Sequence, residues 1–339
     1  MEKIISIIIP TYNMEDFIAK NLQSLITPQH FDDIEVLVVN DGSKDKSSEI
    51  AHQFAEKYPR SIKVIDKQNG NYGSCINVGL QHATGKYVKI LDADDYFETD
   101  NFDTMVGILK NVDADLIITH FAFITPTGES GTIRNLHIPA GQILDINEIA
   151  HKKSIQGLWM HEIAYRRENV IKMGYRQREG ISYTDVQWGF DPMFSVKTVY
   201  YINLLIYRYL VGREGQTMDT NVYRKKFGHE FQCTSAMLDT YVSTHLGSKA
   251  IKQMMFNKMK GRIIALYKRA MIDLEDLNNE DMIKFDLELK AKSPQLYQTT
   301  DRKLLSTPLF CYPYIHAWRK NHEGKLFLLV LKMYKKFKH

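Results

Sequence analysis

An α/β fold with a mostly parallel sheet, helices on both of its faces and a mainly helical C-terminal region is what three observations predict. Strand and helix signals alternate over the first ~120 residues at βαβ spacing. A polar loop follows the carboxyl end of each early strand. Beyond about residue 150 the pattern becomes mostly helical, and from about residue 230 helices dominate. At 339 residues the chain can bury one large core or two. The organisation expected is an α/β domain over residues 1–225 and a helical region over 226–339.

The elements follow in order. Ile5-Ser6-Ile7-Ile8-Ile9 is a β-branched run suited to a buried parallel strand, and it stops at Pro10. Asn13 is placed to cap a helix whose apolar residues Phe17, Ile18, Leu22, Leu25 and Ile26 recur at helical spacing. Ile34 to Val39 is a second strand running into Asn40-Asp41-Gly42-Ser43. Ser43 or Asp45 then opens a helix carrying Ile50, Ala51, Phe54 and Ala55. Lys63-Val64-Ile65 is a third strand, followed by the turn-rich Gln68 to Gly73 and a helix from Ser74 to about His82. A fourth, Lys86 to Leu91, delivers Asp92-Ala93-Asp94-Asp95, and Asp115 to Phe121 reads as a fifth.

The three aspartates within four positions carry the most information. Adjacent carboxylates repel, so crowding them where a strand opens into a loop favours a cation between them. Oxygen ligands suit Mg²⁺ or Mn²⁺, and Mg²⁺ typically sits between one or two carboxylates and substrate phosphates. The Asp-Ala-Asp spacing points Asp92 and Asp94 the same way on an extended backbone. Asp95 alone is equally suited to capping the next helix. In an open parallel sheet the carboxyl ends of the strands form one rim where ligands bind. Thr11-Tyr12-Asn13, Asp41-Gly42-Ser43, Asn69-Gly70-Asn71 and Asp92-Ala93-Asp94 are therefore expected to converge.

Charge is unevenly spread. Residues 1–130 hold 11 Lys/Arg against 20 Asp/Glu, and the remainder 33 against 20, so a front of −9 precedes a back of +13. That asymmetry argues against a nucleic-acid binder and fits a metal site in front of a phosphate-bearing or membrane-facing surface. Cys75, Cys233 and Cys311 are odd in number and far apart, which suggests reduced thiols in a cytoplasmic protein. No stretch approaches the ~20 apolar residues that span a bilayer. In the tail Lys325–His339, Phe327, Val330, Leu331, Tyr334 and Phe337 oppose Lys325, Lys332 and Lys336 on a helical wheel. Such a helix either lies peripherally on the inner face of an anionic membrane or packs on the domain with a solvated lysine face.

Together, Ser6 to Asn13, Val38 to Ser43, Gln68-Asn69-Gly70 and Leu91 to Asp95 resemble family 2 glycosyltransferases of the GT-A fold, a Rossmann-like architecture. These are mostly bacterial enzymes that build surface polysaccharides. The four ordered blocks cover ~95 residues, the likeness continues loosely to about residue 220, and the last ~110 residues match no family pattern. The resemblance implies a nucleotide-sugar donor, a divalent cation and inversion at the anomeric carbon. It implies that Pro10, Thr11 and Tyr12 line the nucleoside pocket and that Asp41 accepts a hydrogen bond from the base, the imide N–H of uracil. Asn69 and Gly70 then contact the base or ribose side. Asp92, with Ala93 beside it, faces the ribose and metal shell, and Asp94 ligates the metal.

Family members commonly carry a Glu-Asp signature whose Asp is the general base. The matching segment here is Gly180 to Trp188, with Asp185 as the base and Thr184 in place of Glu. Ile76 stands where many relatives have Arg, so phosphate or base contact falls to Lys67 or Arg213. The processive signature Gln-x-x-Arg-Trp is missing, which favours transfer of a single sugar. Trp159, Tyr183 and Trp188 flank the base and either stack on sugar faces or serve as core aromatics, and His161 is a further acceptor contact. The acceptor class implied is a cell-surface polysaccharide, a teichoic-acid-like polymer or a lipid-linked precursor. Two other readings of the fold are a nucleotidyltransferase and a non-catalytic GT-A-like binding module. Gly79 to Lys86 superficially resembles a P-loop, but it has five intervening residues and Tyr87 where Ser/Thr must bind Mg²⁺.

Overall fold

The computed structural model describes residues 3–212, 220–306, 310–322 and 324–338. The chain forms two compact units, Met1–Gln216 with Leu246–Lys252, and Thr217–His245 with Gln253–His339.

The first unit is a mixed sheet in the order β3-β2-β1-β4-β8-β6-β9-β5. Its strands are β1 (Ile5–Thr11), β2 (Ile34–Asn40), β3 (Ile62–Asp66), β4 (Tyr87–Ile90), β5 (Tyr96–Phe97), β6 (Leu116–Ile124), β7 (Ile143–Asp145), β8 (Ile163–Arg166) and β9 (Thr198–Leu210). β3, β2, β1 and β4 are parallel, with Ile5 opposite Ile34 and Tyr87. β8 inserts antiparallel between β4 and β6, and β9 runs parallel to β6. The order reverses between β1 and β4, so the loops after those two strands flank a crevice at the carboxyl rim.

Alternation along β1 explains why helices cover both faces. Ile5, Ile7 and Ile9 join a core with Ile18 and Leu22 of α1 (Ile18–Gln23), Ala51 of α2 (Ser47–Lys57) and Phe102 of α4 (Thr99–Leu109). Ile8 points the other way, onto Gly79 of α3 (Asn71–His82). A Cβ on Gly79 would lie 2.5 Å from an Ile8 methyl carbon, so glycine is what lets this helix lie so close to the sheet.

Several expectations change in detail. Asn13 does not cap α1. Its backbone is left-handed (φ 53°), its Oδ1 accepts from the Lys44 amide at 2.8 Å, and the helix begins five residues later. α2 begins at Ser47, whose amide and hydroxyl both donate to Asp45 Oδ1. The stretch beyond residue 150 contributes two sheet strands, and β9 alone is 13 residues long. Tertiary pairing overrode a weak local helical pattern there.

The second unit is helical. Gly228–Ser243 packs on Glu280–Lys292, and Phe231, Tyr267, Phe285 and Trp318 are all buried. Met254, Met255, Met259, Ile263 and Leu266 are buried as well, the apolar set of the long helix Lys249–Lys268. Arg319 lies 3.7 Å from the ring centre of Tyr297 and bonds Asp286, which also accepts from Tyr267 Oη at 2.6 Å. Among the described residues no helix is long and apolar enough to cross a membrane.

Candidate active site

The rim is assembled from loops that bond one another. Asp41 N donates to Thr11 O at 2.8 Å, and Asn13 N donates to Ser43 Oγ, locking the β1 loop to the β2 loop. Asp41 is 3% exposed. Its Oδ1 accepts from Lys67 Nζ at 2.6 Å and from Gly70 N at 2.9 Å, while Asn69 Nδ2 donates to Asp41 O at 3.0 Å. Lys67 Nζ also reaches Gln68 O and Ser74 Oγ. Thr11, Asp41, Lys67, Asn69 and Gly70 are thus joined in one polar network, the Asp41 cradle, with Pro10 and the exposed Tyr12 flanking Thr11 along the chain. Burial and the Asp41 charge push the Cys75 thiol up to about 12, which makes it an inert core thiol. Arg213 lies outside the described residues.

The aspartate loop is pinned from both sides. Asn21 Nδ2 on α1 donates to Asp92 O and Asp95 O, each at 2.9 Å. Ala93 and Asp95 are buried, whereas Asp92 and Asp94 are half-buried. Asp95 Oδ2 accepts from Tyr207 Oη at 2.6 Å and its Oδ1 from Leu210 N at 2.7 Å, so both of its oxygens are engaged by β9. Asp92 Oδ1 accepts from Tyr72 Oη at 2.7 Å. Burial, then the charge of Asp94, raises the pKa of both Asp92 and Asp95, and Asp185 adds to the effect on Asp92.

Asp185 reaches the same place through a different chain of contacts. Gly180 N donates to Gly70 O at 3.1 Å, and Asn77 of α3 exchanges two hydrogen bonds with the Gln177 backbone. A Cβ on Gly73 would lie 1.9 Å from Arg178 O, so this docking requires glycine. Gln177 Nε2 donates to the carbonyl and hydroxyl of Thr184, both at 3.0 Å. Thr184 is therefore a buried anchor. Asp185 opens the short helix Asp185–Trp188. Its charge acts on Tyr72, Asp92 and Tyr209, and that of Asp94 also acts on Tyr209, so these carboxylates share one electrostatic neighbourhood. Tyr183, two residues earlier, holds a left-handed backbone (φ 64°), an uncommon conformation for an aromatic residue.

Two expectations about the acceptor side are corrected. Trp188 is 0% exposed, wedged edge-on against Tyr165 and Tyr175, and offers no surface to a ligand. His161 is buried too, stacked between Phe121 and Tyr209 at 5.1 and 4.5 Å, so it is no acceptor contact. Burial and the nearby Lys89 charge push its pKa down to about 3, leaving a neutral imidazole whose Nδ1 has no hydrogen-bond partner among the described residues. Trp159 does face solvent, 48% exposed, with its ring on Phe121 and its edge toward Phe123. Its amide is held by Glu162 Oε2 at 2.9 Å, and Glu162 is clasped by Arg134 through two bonds of 2.9 and 2.6 Å.

A divalent cation fits this donor set. One ligand atom each of Asp92, Asp95 and His161 lies within 4.8 Å of the others. Ligands of one ion at ~2.1 Å cannot be more than ~4.2 Å apart, so that triad needs contraction, and Asp95 is already doubly bonded. Asp92 keeps one oxygen without a hydrogen bond among the described residues and Asp94 stands beside it. Of the two carboxylates in that triad, Asp92 is thus the one with an oxygen open to an ion. Tyr72 and Asn21 were not legible as neighbours of these carboxylates, nor Arg134 and Glu162 as the brace of Trp159. Tyr207-Arg208-Tyr209 did give a signal: it resembles the strand that closes over the donor phosphates in the family, and its period of two puts both tyrosines on one face.

The profile of glycosyl transferase family 2 matches residues 6–174. Over 212 residues the chain is 29% identical to the uncharacterized glycosyltransferase YibD of Escherichia coli, covering 60% of each protein. Over 148 residues it is 32% identical to the minor teichoic acid biosynthesis protein GgaB of Bacillus subtilis, covering 43% of this chain and 16% of GgaB. The matched stretches thus span less than two thirds of either relative. Residues 1–349 of Staphylococcus aureus TarS, solved with UDP-GlcNAc, superpose with a TM-score of 0.71 at 18% identity, covering 98% of this chain and 92% of that one. That likeness establishes the GT-A type fold. Through the domain spanning residues 6–174, the chain belongs to glycosyl transferase family 2.

Proposed function

We propose that this chain is an inverting, metal-dependent glycosyltransferase. It moves one sugar from a nucleotide-sugar donor, a UDP-sugar, to a hydroxyl of a surface polysaccharide, a teichoic-acid-like polymer or a lipid-linked precursor. One observation carries the reading: the loop of Asp92 and Asp94 after β4 and the Asp41 cradle after β2 lie at one carboxyl rim, where the charge of Asp185 also acts on Asp92. The relationship to GgaB and the UDP-GlcNAc bound by TarS support the polymer class and the nucleotide.

In this reading Tyr12 stacks on the base, Pro10 and Thr11 wall the pocket, and Asp41 accepts the uracil imide N–H. Lys67 and Gly70 hold the Asp41 carboxylate in place, and Asn69 holds its backbone carbonyl. Asp94 and Asp92 hold Mn²⁺ or Mg²⁺, which when bound neutralises the charge of the departing diphosphate. Asp185 accepts the proton of the attacking acceptor hydroxyl, which requires an approach of roughly 2.6–3.2 Å. Trp159, Phe121 and Phe123 present an aromatic shelf for the flat face of an acceptor sugar. Tyr183 lies beside Asp185 and screens it from water.

Titration calorimetry of the full chain against UDP-GlcNAc, UDP-glucose and GDP-mannose, with and without Mn²⁺, tests the reading. Metal-strengthened binding of a UDP-sugar, followed by release of UDP on adding acceptor, is expected. Release of pyrophosphate would favour nucleotidyl transfer. Failure to bind any nucleotide sugar would favour a binding module that has lost catalysis.

A further inference from the structure

The helix Lys325–Lys338 carries two separate apolar groups. Phe327 and Leu331 are buried against its own unit, and Tyr334 is partly covered. The face expected to meet a membrane is therefore largely consumed by packing. A second group remains outside: Leu326, Leu329 and Met333 are 66, 55 and 40% exposed. Their spacing of three and four places them in one stripe along the helix. Lys325, Lys332 and Lys336 are exposed at spacings of seven and four, and at about 100° per residue they form a second stripe adjoining the first. The helix has five lysines and no acid.

We propose that this outer face docks on an anionic lipid bilayer, with Leu326, Leu329 and Met333 entering the interface and Lys325, Lys332 and Lys336 meeting the headgroups. Both stripes are then used at once. An anionic polymer would satisfy the lysines and leave the leucines in water. A second copy bound through the same face would bring like-charged lysine rows together. The docking rests on the surface of this helix alone and is independent of the sugar chemistry.

The test is flotation of the full chain with phosphatidylcholine vesicles, with or without phosphatidylglycerol at roughly 30 mol %. Binding only to the anionic vesicles, weakening as salt rises, is expected. L326Q/L329Q/M333Q and K325E/K332E/K336E should each lower the bound fraction about tenfold or more, with unchanged circular dichroism, since all six side chains are exposed. No flotation with anionic vesicles, or flotation undiminished in the apolar triple variant, overturns the proposal. A self-association in sedimentation that the apolar variant abolishes while vesicle binding persists assigns the face to a second copy and overturns it too. Transfer to a soluble acceptor is unaffected in every arm, so failure here is distinct from failure of the enzymatic reading.

Discussion

Replacing Lys67 by Met tests whether the donor cradle is held together electrostatically. Unit charges at the observed 2.6 Å attract by about 6 kcal/mol at an effective dielectric near 20. Withdrawing the Asp41 carboxylate from water cancels much of that in the intact protein. Lys67→Met keeps the desolvation and forfeits the attraction, and truncating one partner of a buried pair costs about 3–5 kcal/mol. Gly70 N still donates to the same oxygen at 2.9 Å, so the lower end, about 3 kcal/mol, is expected. Adding Asp41→Asn removes the stranded charge and should recover roughly half of the loss. Urea unfolding of the wild type, both single variants and the double variant measures this directly, with unchanged m-values required for the comparison. A Lys67→Met protein within about 0.5 kcal/mol of wild type would refute the reasoning.

Further outcomes follow from the same geometry. Gly73→Ala forces the α3 N-terminus away from Arg178 O and so displaces the segment leading to Asp185; transfer should fall more than tenfold while UDP affinity changes less, as steady-state kinetics and calorimetry would show. Tyr72→Phe frees Asp92 Oδ1, and the Mn²⁺ affinity read by electron paramagnetic resonance should change by about threefold or more with the urea midpoint nearly kept. Lys89, buried with the His161 and Ile163 carbonyls as its acceptors among the described residues, has its pKa pushed down to about 7 by burial. The unfolded chain then binds more protons than the folded one between about pH 7 and 10.5, so stability should climb with pH across that window. Lys89→Met should abolish the climb; equal slopes in wild type and variant would contradict it.

What the sequence disclosed and what it hid divide along a physical line. Ile5–Thr11 and Ile34–Asn40 were legible because strands buried on both faces read as unbroken apolar runs ending in polar loops. The cradle of Asp41, Asn69 and Gly70 followed from the rule that such loops share a rim. Asp95 was set apart from Asp92 and Asp94 by the alternation of an extended backbone, but its actual partners stayed hidden, because Tyr207 and Leu210 lie 112 and 115 positions away. His161 and Trp188 looked like ligand contacts because they neighbour the motif, yet their burial depends on Tyr209, Phe121 and Tyr165, which only tertiary packing brings together. Trp159 escaped that fate because Glu162 fixes its amide and leaves its ring outside. The C-terminal helix showed its lysines in sequence, but which of its apolar residues face outward was set by packing.

The central claim is that a carboxylate at position 185 takes a proton at a rim that holds the donor elsewhere. Single-turnover transfer by Asp185→Asn, measured alongside its UDP-sugar affinity, tests it most directly. The account predicts affinity within a few-fold of wild type and a transfer rate lower by about 10²–10⁴. A variant that binds donor equally well and transfers at nearly the wild-type rate would contradict it.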